Sequence, residues 1–249
     1  LIPHISVSGR TIPESYHKAL EALLRDGDMV DCPDWNTTCV EASATIQVSE
    51  PLSEPMISSL SICDPYSLEK YRMEMVDGLL DWSVEAGLEP YTYHQRIAGQ
   101  MPKAVEELKR SKDSRRAAVT IRLPSDYDLP DAPCLQHLQF VVRNDALDMF
   151  VLFRSNDAVK ATFMNMFGLA MIQKEMAEAV GCGVGGMLYT ANSFHCYQRD
   201  FHTLRGYVRA MHDRDCTYEY VGEWDSMMAD ERAKILSDVE KQKKNRGLD

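Results

Sequence analysis

No stretch of the chain approaches the roughly 20 consecutive apolar residues needed to cross a bilayer, and the opening Leu1-Ile2-Pro3-His4 lacks the layout of a secretory signal. A cytoplasmic location is the expectation. The seven cysteines (Cys32, Cys39, Cys63, Cys134, Cys182, Cys196, Cys216) are odd in number and include no CxxC pair. Neither a disulfide framework nor a metal site is indicated, and they read as reduced thiols. Positive charge is also scarce: 27 Lys and Arg stand against 38 Asp and Glu, a formal net charge of −11. Such a surface repels phosphate backbones, which argues against a general nucleic-acid binder and requires that an anionic ligand be held by a local cluster of arginines. Internal repeats and low-complexity tracts are absent. The one glycine-rich stretch, 181–186, follows a helix instead of leading into one, so it reads as a turn and not as a phosphate loop.

What is present suffices for one sizeable core: 249 residues, 45% of them hydrophobic, expected as a single domain over 1–249. Thr11-Ile12-Pro13-Glu14 has the form of a capping box, and Tyr16, Ala19, Leu20, Leu23 and Leu24 then recur at helical spacing until Asp26-Gly27. Residues 31–36 are turn-rich and 39–48 mix β-branched with polar residues, predicting a strand. Further helices fit 67–77, stopping at Gly78, and 102–112, where Val105 and Leu108 share a face. A strand candidate at 117–123 is followed by a Pro- and Asp-rich loop, 124–133, that delivers the chain to Cys134. Residues 135–142 and 147–153 form a predicted hairpin. The pattern at 163–180 predicts a largely buried helix whose Met164, Met166, Met171 and Met176 are core filler. Residues 189–197 return as a strand, and 229–244 close the chain as a charged helix solvated on most faces.

Three segments concentrate groups that nucleotide chemistry uses: Asp113-Ser114-Arg115-Arg116, Ala132-Pro133-Cys134 and Arg154-Ser155-Asn156-Asp157. Singly they are a surface charge pair, a loop end and a turn. Together they say more, because Cys134 heads one hairpin strand and Arg154 ends the other, so the two fall close together if the turn lies near Asn144-Asp145. A guanidinium beside a thiol lowers its pKa and favours the nucleophilic thiolate.

These segments, with Gln139-Phe140, Asn165 and His195-x-Tyr197, resemble the thymidylate synthase superfamily in order and spacing from about Glu74 to Tyr197. The resemblance implies an α/β (α+β) fold with a mixed sheet and flanking helices. It implies that Cys134 adds to C6 of a pyrimidine nucleotide, so that C5 attacks the one-carbon unit of methylenetetrahydrofolate, the co-substrate. It places Arg154 and Ser155 on the 5′-phosphate, joined across a homodimer interface by Arg115 and Arg116. Asn165 is then expected to read the base edge, His195 and Tyr197 the sugar hydroxyl, and Asp157 to face the folate; Gln139 falls within the same substrate set. Glu74 matches the family's proton-relaying glutamate, with Glu69 on the same helix and a solvated helix carboxylate as alternatives. Tyr93 matches an active-site tyrosine and equally suits a core position.

Members differ in how the C5 methylene is quenched, with hydride giving a methyl group and water a hydroxymethyl group. Synthases carry Pro-His-Pro and an apolar tail that closes over the folate, whereas here Tyr218-Glu219-Tyr220-Val221-Gly222-Glu223-Trp224 is similar to the ending of phage deoxycytidylate hydroxymethylases, followed by a charged helix. The overall plan also resembles the CMP 5-hydroxymethylases of mildiomycin-type nucleoside antibiotic biosynthesis. The expected reaction is hydroxymethylation of CMP or dCMP. Asn165, the residue of uracil-specific synthases, keeps methylation of dUMP as the alternative.

Overall fold

The computed structural model describes residues 1–248. A first strand, β1 (His4–Gly9), leads to Thr11, whose side chain accepts from the Glu14 N–H and caps α1 (Ile12–Asp26). The expected capping box is displaced by one residue, since the Glu14 carboxylate accepts from the Arg10 N–H, not from that of Thr11. Tyr16, Ala19, Leu20 and Leu23 form the buried stripe of this helix, while Leu24 turns outward. Next come β2 (Asp28–Cys32), a turn carrying Trp35, and β3 (Thr37–Val48), so the stretch read as a turn includes the end of a strand. A two-residue β4 (Ile57–Ser58) precedes α2 (Pro65–Val76), which Asp64 caps by accepting from Ser67 N–H. Short helices α3 (Asp81–Glu85) and α4 (Tyr93–Ala98) lead to α5 (Met101–Arg110).

The strand expected over 117–123 is reduced to β5 (Ala118–Thr120). The Asp126 carboxylate accepts from the Leu123 N–H at 2.7 Å and from Arg96 at 2.8 Å, which pulls the chain out of the sheet into a 3-10 turn. Strands β6 (Leu135–Arg143) and β7 (Ala146–Phe153) are the predicted hairpin, turned by Asn144 and Asp145 at φ +50° and +60°, the left-handed pair a two-residue connection requires. After β8 (Asn156–Asp157), α6 (Thr162–Val180) runs through the core and ends on Gly181 at φ +82°. The turn expected at 181–186 occupies only Gly181 and Cys182, because β9 (Gly183–Tyr197) starts at once. Its glycines permit close approach: a Cβ on Gly185 would lie 2.4 Å from Asp148 Oδ1, which is held there by the Gly186 N–H at 2.8 Å where β7 and β9 shift register. Helix α7 (Phe201–Asp213), β10 (Thr217–Tyr218) and α8 (Asp225–Asn245) complete the chain.

Eight strands form one mixed sheet in the order β1-β3-β9-β7-β6-β5, with β2 on β3 and β8 on β9; β4 and β10 pair separately. The β1/β3 and β7/β9 pairs are parallel and the β3/β9, β6/β7 and β5/β6 pairs antiparallel. Alternation along β7 buries Leu147, Met149, Val151 and Phe153 in one core with Phe163, Met166, Phe167 and Met176 of α6. The other face of the sheet, carrying Gln139, Phe150, Leu152, Leu188 and Thr190, stays half-exposed. Helix α8 buries Met228, Ile235 and Val239 and leaves its remaining faces to solvent. It is tied to α2 where the fully buried Glu69 carboxylate receives Arg72 at 2.9 Å and Arg232 at 2.5 Å. Among the described residues, no helix is long and apolar enough to cross a membrane.

Candidate active site

The hairpin does for Cys134 and Arg154 what its register requires: the Cys134 carbonyl accepts from the Arg154 N–H at 2.9 Å. The thiol opens into a cavity of about 420 Å³, within the size range of small-molecule sites. Tyr93, Arg154, Ser155, Asp157, Asn165, His195 and Tyr197 line it together with Cys134, so eight of the twelve residues singled out in the sequence converge. Four do not. Glu74 lies further along α2, half-buried and 3.6 Å from Lys70, with its carboxyl pKa raised by burial. Gln139 points to the half-exposed sheet face and donates to the Arg115 carbonyl at 2.8 Å. Arg115 and Arg116 are exposed beside it, five residues along β6 from Cys134, about 17 Å at strand spacing. A larger hollow of about 520 Å³ beside α5 contains Arg116 but no nucleophile.

Arg154 does not act on the thiol as its proximity suggested. Burial raises the Cys134 pKa above its ordinary value, and Asp131 adds to the rise; the opposing pull of Arg154 is outweighed. The guanidinium is also occupied, donating to the Pro133 carbonyl at 3.1 Å and the Ala132 carbonyl at 2.7 Å, with Asp131 at 3.9 Å. It fastens the loop before the nucleophile to the strand after it. On the other side of Cys134, the Leu135 N–H donates to the Tyr93 hydroxyl at 3.2 Å, and burial beside the thiol holds that phenol well above its usual pKa.

Asp157 accepts from the Val159 and Lys160 N–H groups at 3.0 and 2.9 Å, which fixes the turn into α6. The His195 ring is oriented through Ser193. The Ser193 hydroxyl donates to Glu41 at 2.6 Å and lies 3.2 Å from His195 Nδ1, so Nδ1–H donates to Ser193 and Nε2 is left as an acceptor. Tyr197 meets the same ring edge-on at 4.8 Å.

Sequence reasoning missed Trp35, Tyr71, Lys160 and the Glu41–Ser193 relay. Trp35 is 69% exposed at the cavity wall and lies 6.5 Å from Tyr197, ring to ring. Tyr71 extends from α2 to donate to Asn165 Oδ1. Lys160 lines the cavity and pairs with Asp200 at 2.8 Å. Met164, expected as core filler, also lines the cavity. The C-terminal segment is docked elsewhere. The Glu54 carboxylate accepts from the Tyr220 and Val221 N–H groups at 2.9 Å, Trp224 stacks on Tyr218, and among the described residues none beyond Tyr197 lines the cavity.

A mixed sheet that sets a cysteine, an arginine, an asparagine and a histidine around one cavity is an arrangement suited to an enzyme with a thiol nucleophile beside a polar ligand. The chain belongs to the thymidylate synthase family, whose sequence model, "Thymidylate synthase", matches residues 60–228. Relatives named "putative thymidylate synthase" include one from Methanosarcina mazei, 31% identical over 82% of this chain and 95% of its own length. One from Methanocaldococcus jannaschii is 28% identical over 79% and 93%. A thymidylate synthase of Bacillus licheniformis is 25% identical over 55% of this chain and 49% of its own. One-carbon transfer to a pyrimidine nucleotide, with methylenetetrahydrofolate as co-substrate, is the chemistry of the family.

Proposed function

We propose that the chain is a folate-dependent hydroxymethyltransferase acting at C5 of CMP or dCMP, with Cys134 adding to C6. The observation that carries this is the convergence of eight of the expected residues on one 420 Å³ cavity with the Cys134 thiol in its wall. In this reading the Cys134 sulfur bonds to C6 and is expelled again after C5 has reacted. Ser155 and Arg154 receive the phosphate, Arg154 turning from the Ala132 carbonyl to do so. His195 Nε2 and Tyr197 take the sugar hydroxyl, and Asn165 the base edge. Glu74, its pKa raised, relays protons through water from behind Tyr71.

The residues present suit a folate: the exposed Trp35 ring and the Asp157 carboxylate lie on the cavity wall as an aromatic surface and a hydrogen-bond acceptor. When bound, methylenetetrahydrofolate supplies the one-carbon unit. Water as the final nucleophile is supported by the placement of the C-terminal segment, which is held by Glu54 and α2 and leaves the cavity open. Arg115 and Arg116 are too distant to serve their own site, which supports a homodimer in which a second copy donates them, with Gln139 holding the Arg115 backbone. The whole of 1–249 is taken as one catalytic domain, because β1 to β3 share the sheet that carries the site.

Hydroxymethylation returns tetrahydrofolate and methylation yields dihydrofolate. With CMP or dCMP, the absorbance of dihydrofolate is expected not to develop while product accumulates. Its stoichiometric appearance would establish the second reading, methylation of the dUMP type, for which Asn165 speaks.

A further inference from the structure

All seven cysteines are free thiols, and two of them touch: the Cys32 thiol donates to the Cys39 sulfur at 3.3 Å. Strand register brings them together. Across β2 and β3, Cys39 pairs with Val30 and Cys32 with Thr37. Alternate residues of a strand share a face, so the two thiols emerge on one side of the ladder and meet on its diagonal. Cys196 on β9 pairs with Val40, one position further along β3, and its side chain therefore leaves on the opposite face. Cys32 is half-buried and Cys39 buried. Burial, and after it the contact with Cys32, pushes the Cys39 thiol up to about 12. The buried thiol is thus a poor first nucleophile, and the accessible Cys32 is the point of entry.

The shared face leads to the candidate active site. On its other side Cys39 pairs with Tyr197, and burial, with Cys32 and Cys39 adding to it, raises the pKa of that phenol. The turn that the two thiols bracket, residues 33–38, carries Trp35, which stands at the cavity wall with its ring 6.5 Å from that of Tyr197. Among the described residues β2 pairs with β3 alone, so this edge strand can bend while β3, held by β9 as well, stays fixed.

We infer that Cys32 and Cys39 form a thiol–disulfide exchange site which small disulfides oxidise, and that the bond so formed locks the Trp35 turn at the cavity wall. The Cys32 thiolate attacks one sulfur of a small disulfide such as oxidised glutathione, forming a mixed disulfide and releasing one thiol. The Cys39 thiol, its proton lost to solvent, then attacks the Cys32 sulfur and releases the second. The two cysteines give up two electrons and two protons, and the small disulfide takes them up as two thiols. The sulfurs close from 3.3 Å to about 2.05 Å, a movement the edge strand supplies. A ring closed over 33–38 holds the turn in one conformation, so Trp35 no longer adjusts to what enters the cavity. That consequence rests on the folate and nucleotide reading of the cavity, whereas the exchange itself does not.

The whole chain, incubated with oxidised glutathione at pH 8 and then cleaved beside Trp35, tests the exchange. The peptides carrying Cys32 and Cys39 are expected to stay joined until reduced, with no glutathione retained on either. Cys32→Ser is expected to leave Cys39 unmodified, and Cys39→Ser to hold glutathione on Cys32. Glutathione retained on Cys32 of the wild type, or both thiols left free, overturns the inference. For the cavity, KM for methylenetetrahydrofolate is expected to rise severalfold in the linked protein, with kcat kept, and to return with dithiothreitol. Cys32→Ser given the same treatment corrects for any reaction at Cys134, and its KM is expected to hold. An unchanged KM in fully linked wild type overturns the lock on Trp35. A wild type without turnover counts against the hydroxymethylase reading, and the joined peptides still decide the exchange.

Discussion

At the residue scale the proposed reaction turns on a thiol whose burial favours its protonated form. Burial and Asp131 raise the Cys134 pKa, so the thiolate fraction near neutrality is small and grows about tenfold per pH unit until the pKa is reached. Asp131→Asn removes one of the two raising influences. Alkylation of Cys134 by iodoacetamide at pH 8 is expected to accelerate severalfold in that variant and to slow in Arg154→Gln, which removes the lowering one. The same direction of change in both would refute the account of the shift. Cys134→Ser is expected to lose about 10³-fold or more in kcat while still binding nucleotide by calorimetry, because a hydroxyl is a far weaker nucleophile. Eight of the residues that line the cavity were legible in the sequence through their types and their order along the chain. Tyr71 was not: positions 71 and 74 are neighbours on a helix surface, and spacing alone cannot say which of them meets the cavity. The Glu41–Ser193 relay was hidden for a different reason, since it joins two strands whose register only the folded sheet defines.

Among the elements, those with strong local chemistry were read best. The β6–β7 hairpin is specified by Asn144 and Asp145, two residue types that tolerate the left-handed region, and α1 by Thr11 and its apolar stripe. The beginning of β9 was lost because glycine commonly signals a turn, whereas Gly185 here answers to the approach of Asp148 and Leu147 from β7. Gly185→Ala is expected to destabilise by about 2 kcal/mol, lowering Tm by roughly 4–8 °C, because backbone lies on one side of the added methyl. A variant melting within a degree of wild type would show that the strand has room to move. The short β5 was misjudged because a buried pairing of Arg96 with Asp126, 30 residues apart, ends it. Glu69→Ala is expected to cost about 2 kcal/mol in urea unfolding. That is less than a fully buried pair, since Arg232 is half-exposed and Arg72 keeps Asp77.

For the whole molecule, the net charge of −11 means that an anionic ligand depends on few arginines, and only Arg154 among them lines the cavity. The half-exposed face with Phe150, Leu152 and Leu188 offers the contact through which a second copy can contribute Arg115 and Arg116. If it does, mixing Cys134→Ser with Arg116→Ala protein restores about a quarter of the wild-type activity, as one site in each mixed dimer is intact. No recovery would place the arginine outside the site. The family match begins at residue 60, yet β1, α1, β2 and β3 belong to the same sheet and core; of these the sequence disclosed α1 and β3, while β1 and β2 went unread. The most direct test is the mass of the nucleotide product formed from CMP or dCMP with methylenetetrahydrofolate. A gain of CH₂O, absent with Cys134→Ala, is the predicted result, and a gain of CH₂ would contradict hydroxymethylation.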